Sequence, residues 1–203
     1  IGLFGVVLSL VFGAVLGIAS GYYGGLIDEV IQRAIEVVRA FPSIPLWMAL
    51  SAAVPPGWSQ TKTYFAVTVS LSLIGWTWLA RQLRGQVLSL RQSDYIMAAR
   101  LAGASDTRII FKHLFPATLG QIIVVATLSL PAMIIAETSL SFLGLGLRPP
   151  ITSWGVLLQE SQNLQSLALY PWVFTPAIVI VVVILAFSFL GDGLRDAADP
   201  FTI

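Results

Sequence analysis

Apolar side chains run almost unbroken through residues 1–20, 63–80, 117–136 and 171–190, and more briefly through 40–54. A helix needs about 20 such residues to cross the hydrocarbon core of a bilayer, because each residue adds only about 1.5 Å. The 40–54 run is short by itself, but the helical pattern upstream extends it, so about five spans are predicted. Polar or Gly/Pro-bearing connections lie between them, at 21–39, 55–62, 81–116 and 144–170, with a tail from 191.

Two of these stretches carry a finer pattern. In the first span Gly5, Ser9, Gly13, Gly17 and Gly21 recur every fourth residue, which puts them on one helix face and makes a smooth stripe where a second helix can approach closely. Gly13, Gly17 and Gly21 are therefore candidate packing residues, either within one bundle or at a subunit or gating contact. Residues 26–41 are amphipathic instead. Leu26, Ile27, Val30, Ile31, Ala34, Ile35, Val38 and Phe41 recur at helical spacing, opposite Asp28, Glu29, Gln32, Arg33, Glu36 and Arg39. This fits a helix resting partly at the membrane surface, or equally a span whose first turns project from the bilayer. Pro42 and Pro45 bend or interrupt it.

Composition agrees with a membrane protein. Of 203 residues 57% are hydrophobic and 10% charged, with a mean hydropathy of +0.87, against about 25% charged in soluble domains. The net charge of +1 does not point to nucleic acid, and the absence of cysteine removes disulfides and thiolate metal sites. The distribution of charge is more informative than its sum. Arg33, Arg39, Arg81, Arg84, Arg91, Arg100, Arg108, Lys112 and Arg195 fall on one side of the predicted spans, and only Lys62 and Arg148 on the other. Nine against two assigns the 81–116 connection and the C-terminal tail to the cytoplasm. The chain opens on Ile1, inside an apolar run and without a basic leader. We therefore expect a truncation within a membrane span, with a further span upstream making six in an intact chain.

The chain offers little catalytic chemistry. It has no GxxxxGK[ST] phosphate loop, one histidine (His113) and no Ser–His–Asp arrangement in a plausible setting. Work on a solute then requires an ion gradient or energy from another polypeptide. Glu137 is the one acid within a span, in "AETSLSFLGLG" toward the outer end of its helix. Intramembrane acids suggest function, while that depth equally suits a structural hydrogen bond, so it is either a gate or a structural residue.

The 81–116 connection is long enough to have structure of its own. Ser93 or Asp94 can cap a helix through "YIMAARLA", Gly103 can stop it in a left-handed conformation, and Ser105 or Asp106 can cap a second short helix through "TRIIFKHLF", with Pro116 opening the next span. Ala98, Ala99 and Ala102 allow close approach, Tyr95, Ile96, Met97 and Leu101 supply apolar anchors, and Arg100, Arg108 and Lys112 supply charge at the rim. Such a helix suits a groove on a partner protein or a layer of anionic headgroups.

Residues 97–116 resemble the cytoplasmic "EAA" loop of permease subunits in bacterial ABC importers. Ala98, Ala99, Gly103 and Pro116 fall in register, while Met97, His113 and Phe115 stand where that pattern has Glu, Ile and Leu. "GYYGGLIDE", "AFPSIP", "QVLSLRQSDYIMAARLAGASDTRIIFKHLFP", "ETSLSFLGLGLRPPITSWG" and "LGDGLRDAADP" resemble, in order, the C-type subunit of the dipeptide/oligopeptide/nickel branch. The resemblance covers essentially all 203 residues. It implies an all-α polytopic bundle of the type I importer kind, a single transmembrane domain over 1–203 in the bacterial inner membrane, and an 81–116 loop that couples to a cytoplasmic ATPase. The coupling residues it implies are Asp94, Ala98, Ala99, Arg100, Gly103, Ala104 and Ser105, with Arg108 at the rim and Pro116 closing the motif. The implied partners are a second homologous permease, two ATPase subunits that carry the ATP and Mg, and an extracytoplasmic substrate-binding protein docking near 144–170. No cofactor is expected on this chain, and the substrate class is peptide. The alternative is an ion-coupled carrier or channel.

Overall fold

The computed structural model describes residues 2–55 and 57–198. The end of the 190–200 segment, Ile1 and Pro56 lie outside the described residues, as does the Arg195 side chain counted in the charge asymmetry. The described chain is helical throughout. Its elements are α1 (Gly2–Tyr23), α2 (Gly25–Ala40), α3 (Ser43–Ala52), α4 (Gln60–Leu90), α5 (Asp94–Leu101), α6 (Asp106–Ile109), α7 (Phe115–Phe142), α8 (Trp154–Gln159), α9 (Leu164–Leu169) and α10 (Thr175–Ala198).

The stripe on α1 packs against α4. A Cβ added at Gly13 would lie 2.9 Å from the Trp76 carbonyl oxygen, one at Gly17 2.7 Å from that of Ala80, and one at Gly21 2.9 Å from that of Arg84. Successive turns of α1 therefore meet successive turns of α4 in the same order, so the two helices run parallel and close. Hydroxyls bind the seam further up. Ser9 Oγ donates to the Ser72 carbonyl (3.3 Å) and Ser72 Oγ to that of Gly5 (3.1 Å), bonds of the kind that tie helices where no water competes.

Parallel neighbours need a return path, and α2 and α3 supply it together. Four helical stretches are individually long and apolar enough to cross a membrane: Leu3–Tyr23, Thr61–Leu90, Asp106–Phe142 and Pro171–Leu194. The 40–54 segment is not among them, because α3 has ten residues and reaches only about 15 Å. Its predicted extension upstream is broken. Phe41 is extended (φ −87°, ψ 136°), as the residue before a proline prefers, and α3 starts after Pro42 with Pro45 tolerated in its first turn. Ile31 and Ile35 of α2 pack on Ala80, Leu16 and Trp76. Trp47 and Met48 of α3 pack on Val6, Leu71 and Met133. The broken pair thus climbs from the far half of α1 back to its beginning.

Asp106 to Phe142 forms one continuous rod, in which the second short helix predicted after Gly103 is α6, joined without a gap to α7. A single π-turn over Ile110–Leu114 marks the junction, with the Phe115 N–H bonded to the Ile110 carbonyl. Pro116 lacks an N–H and its ring crowds the carbonyl four residues earlier; widening the preceding turn absorbs that conflict. α7 runs antiparallel to α1 and α4, with Leu114 and Val125 in the cluster around Ile18 and Leu83, and Met133 and Leu140 in the cluster around Val6 and Leu71. The seat of α8 is equally close: a Cβ at Gly155 would lie 2.5 Å from the Thr138 carbonyl oxygen. α10 closes the bundle against α7, Gly191 facing Leu128 and Thr127.

A side chain at Gly17 would overpack the α1–α4 seam, whereas Gly85 of α4 faces open space. Gly17→Leu is expected to destabilise the protein by about 1–3 kcal/mol, read as a lowered thermal midpoint in detergent micelles. Gly85→Ala is expected to leave the midpoint unchanged or raise it, since Ala is the better helix former.

Candidate functional site

One end of the bundle gathers the end of α1, the start of α2, the end of α4 and the elbow formed by α5 and α6. The elbow is set by backbone chemistry. The Gly103 N–H bonds to the Arg100 carbonyl (2.9 Å) and the Ala104 N–H to the Ala99 carbonyl (3.0 Å), the paired bonds of a Schellman stop. Gly103 has φ +77° and nothing within 4 Å of where its Cβ would be, so backbone conformation, not space, requires glycine there. Ser105 then caps α6, its Oγ accepting from the Arg108 N–H at 3.4 Å. Ser93 precedes α5 but turns away, its Oγ donating to the Leu90 carbonyl at 2.6 Å.

Apolar burial fixes which way the elbow faces. Ile96 and Ile109 are fully buried among Ile18, Tyr22, Leu83 and Val87. Ile96, grouped by its sequence with outward anchors, thus points into the chain's own core. Tyr95, Met97 and Leu101 are exposed, Leu101 to 90%. Asp94, Ala98, Gly103, Ser105 and Arg108 are exposed beside them, with Ala99 and Ala104 half-buried. Pro116 lies exposed on the α7 rod. His113 is half-buried, its ring 6.3 Å from that of Tyr95.

Under the elbow lies a polar cluster whose members are too far apart along the chain for local spacing to pair. Asp28 of α2 takes a forked pair of bonds from Arg84 of α4, Nε to Oδ1 at 2.6 Å and Nη2 to Oδ2 at 2.5 Å. Ser20 Oγ donates to the same carboxylate and accepts from Gln32 Nε2 (3.1 Å). Arg91 Nη1 donates to the carbonyls of Gly21 and Tyr22, at 3.1 and 3.2 Å. Tyr22 Oη donates to Asp106 Oδ1 at 2.6 Å. The Arg100 guanidinium lies 5.3 Å from the centre of the Tyr22 ring, so this rim charge is turned back toward the bundle. Charged groups this near a membrane boundary are retained when each has a partner.

A cleft of about 1,230 Å³ opens between the α2–α3 break, α4 and α7. From α7 it is lined by Ala117, Gly120, Gln121, Val124, Leu128 and Ala132, one helical stripe, and from α4 by Ile74, Trp78, Gln82 and Gln86. Gln121 Nε2 donates to Gln82 Oε1 at 2.9 Å. The Arg39 guanidinium lies 5.6 Å from the Trp78 ring centre at its edge. Trp47 Nε1 and Gln86 Oε1, on lining residues, are shielded from solvent and meet no hydrogen-bond partner among the described residues. Glu137 lies beyond the cleft and accepts from Ser141 Oγ at 2.6 Å, while that hydroxyl accepts from the Leu147 N–H at 3.0 Å. These bonds link Glu137 through Ser141 to the turn after α7.

Residues 13–203 match the family model described as "Binding-protein-dependent transport system inner membrane component". The chain is 39% identical over 201 residues to an oligopeptide transport system permease protein of Bacillus subtilis, covering 98% of this chain and 63% of that protein. It is 41% identical to a dipeptide transport system permease protein of Alkalihalophilus pseudofirmus, covering 98% of this chain and 64% of that one. The chain thus spans less than two thirds of the length of these relatives. Its fold is similar to a chain of the MetNI methionine ABC transporter in an inward-facing conformation, with a TM-score of 0.65 at 20% identity, covering 98% of this chain and 93% of the other.

Because Ile96 is the one buried side chain of α5, Ile96→Ala is expected to cost about 2–5 kcal/mol locally. Amide hydrogen exchange should accelerate across 93–105 while the middle of α4 keeps its protection.

Proposed function

The chain belongs to the binding-protein-dependent transport system inner membrane component family, and from that premise we propose that it is a permease subunit of an ATP-driven importer of di- or oligopeptides. The observation that carries this reading is the elbow. Two buried isoleucines, Ile96 and Ile109, hold it to the bundle, while Leu101, Met97 and Tyr95 project beside the small Ala98, Ala102 and Gly103. Apolar knobs with small neighbours suit a groove on a partner protein. In this reading the partner is a cytoplasmic ATPase that carries the ATP and Mg, and the chain itself is a transport component, not an enzyme.

The mechanism follows from continuity. ATPase closure moves the elbow as a unit, because the Schellman stop and the Ser105 cap leave little slack at Gly103. The motion enters a rod that runs without a break from Asp106 to Phe142, about 55 Å long. One face of that rod is a wall of the cleft. Moving the elbow therefore moves the wall. The cleft's neutral amides at Gln82, Gln86 and Gln121 match a peptide main chain, which both donates and accepts. A second, homologous permease closes its open side, and an extracytoplasmic binding protein delivers the peptide near 144–170. The elbow end of the bundle faces the cytoplasm in this reading, as the concentration of arginine there favours.

Gly103→Asp and Ala99→Arg test the assignment. In vesicles containing the chain with its partner permease, ATPases and binding protein, each variant is expected to insert normally and to abolish uptake of labelled peptide. Uptake that survives both changes with ATP hydrolysis still coupled would refute the role of the elbow. Uptake by the chain without ATPases would refute the importer reading itself.

A further inference from the structure

We infer that Tyr22 is a positioning residue for coupling: it fixes the angle of the elbow against α1, so that motion imposed on α5 enters α7 instead of dissipating at Gly103. The inference rests on the elbow being the point of ATPase contact. Tyr22 sits on the last turn of α1 and is 5% exposed. Three of its groups reach three different elements. Its carbonyl accepts from Arg91, just after α4 (3.2 Å), its ring lies under Arg100, on the last turn of α5 (5.3 Å), and its hydroxyl donates to Asp106, the first residue of α6 (2.6 Å).

The position of these contacts around Gly103 matters. Arg100 lies three residues before it and Asp106 three residues after, so the same side chain holds both arms of the hinge. Between the arms the chain's own restraints are the two Schellman bonds, both made on the α5 side. The bond from Tyr22 to Asp106 adds a directional polar restraint to the α6 arm, whose apolar hold on the bundle is Ile109. A neutral donor meeting a carboxylate makes a stronger bond than a neutral pair, and near-complete burial of the ring fixes its direction. Tyr23, the next residue, is exposed and cannot substitute.

Purely structural packing and positioning make different demands. If Tyr22 only fills space, Tyr22→Phe is silent, since the ring remains. If it positions the elbow, Tyr22→Phe leaves ATPase binding intact and lowers peptide transported per ATP hydrolysed by about tenfold, the scale of one hydrogen bond to a charged group. Asp106→Ala, at an exposed position, should lose as much, and the double variant no more than either single, because both remove the same bond. Asp106→Asn keeps an acceptor oxygen and should retain most of the coupling. These are measured as the ratio of peptide uptake to ATP hydrolysis in vesicles of the full complex, alongside ATPase co-purification. A wild-type ratio in Tyr22→Phe and Asp106→Ala, or losses that multiply in the double variant, would overturn the inference while leaving the importer reading intact. Absence of ATP-dependent uptake or ATPase co-purification in the unmutated complex would instead overturn the reading beneath it.

Discussion

The close parallel contact of α1 with α4 is the constraint from which the rest of the molecule follows. Side chains are excluded along it by backbone carbonyls lying 2.7–2.9 Å from where the Cβ atoms of Gly13, Gly17 and Gly21 would be. In a bilayer there is little hydrophobic force to bring helices together, so packing of this kind and a few interhelical hydrogen bonds must do so. Two helices joined in sequence cannot run parallel without a return, and that requirement creates the broken α2–α3 pair. The break in turn opens one side of the cleft, where Arg39 meets Trp78.

The same seam builds the platform for the elbow. Bringing the ends of α1 and α4 side by side places Gly21 and Tyr22 within reach of Arg91, and Ser20 within reach of Asp28 and Arg84 beyond it. Each charge is thereby partnered at the edge of an apolar bundle, where an unpaired one would be costly. The elbow rests on this surface through Ile96 and Ile109 and leaves its apolar tip outside. A packed base, a hinge held by two backbone bonds and an unbroken lever then occur in sequence order. That arrangement suits the proposed transmission of displacement, which asks for no catalytic group on the chain.

Much of this was legible beforehand, for identifiable reasons. Four long spans, the stripe on α1, and the helix–Gly–helix form of 93–109 depend on local periodicity and on the few residues that cap or stop a helix, and those signals lie within a turn or two. The crossing at 40–54 is shared by two helices instead of one, because apolar content says nothing of continuity and Pro42 interrupts a pattern that otherwise reads through. The second arm is the short helix that Ser105 caps, but a π-turn joins it to the next span, so Pro116 sits within a continuous rod instead of at a fresh start. Ile96 and Leu101 looked alike as apolar residues on a short amphipathic helix, and only the packing of α4 decides that one is buried and the other bare. The polar cluster was the least accessible part. Tyr22 and Asp106 are 84 residues apart, and Asp28 and Arg84 are 56 apart, so nothing in local spacing pairs them.

In the proposed function, displacement at the elbow becomes movement of the α7 wall of the cleft. Absence of cysteine from the chain makes it directly measurable with spin labels at two introduced cysteines, Gly85→Cys on α4, where space is open, and Ala117→Cys on the α7 face of the cleft. The distance between them is to be recorded in the full complex without nucleotide and with ATP trapped on the ATPases. The distance distribution is expected to shift between the two states, and the shift to vanish when Gly103→Asp is added. An unchanged distance on trapping ATP, or a shift that persists with Gly103→Asp, would contradict it.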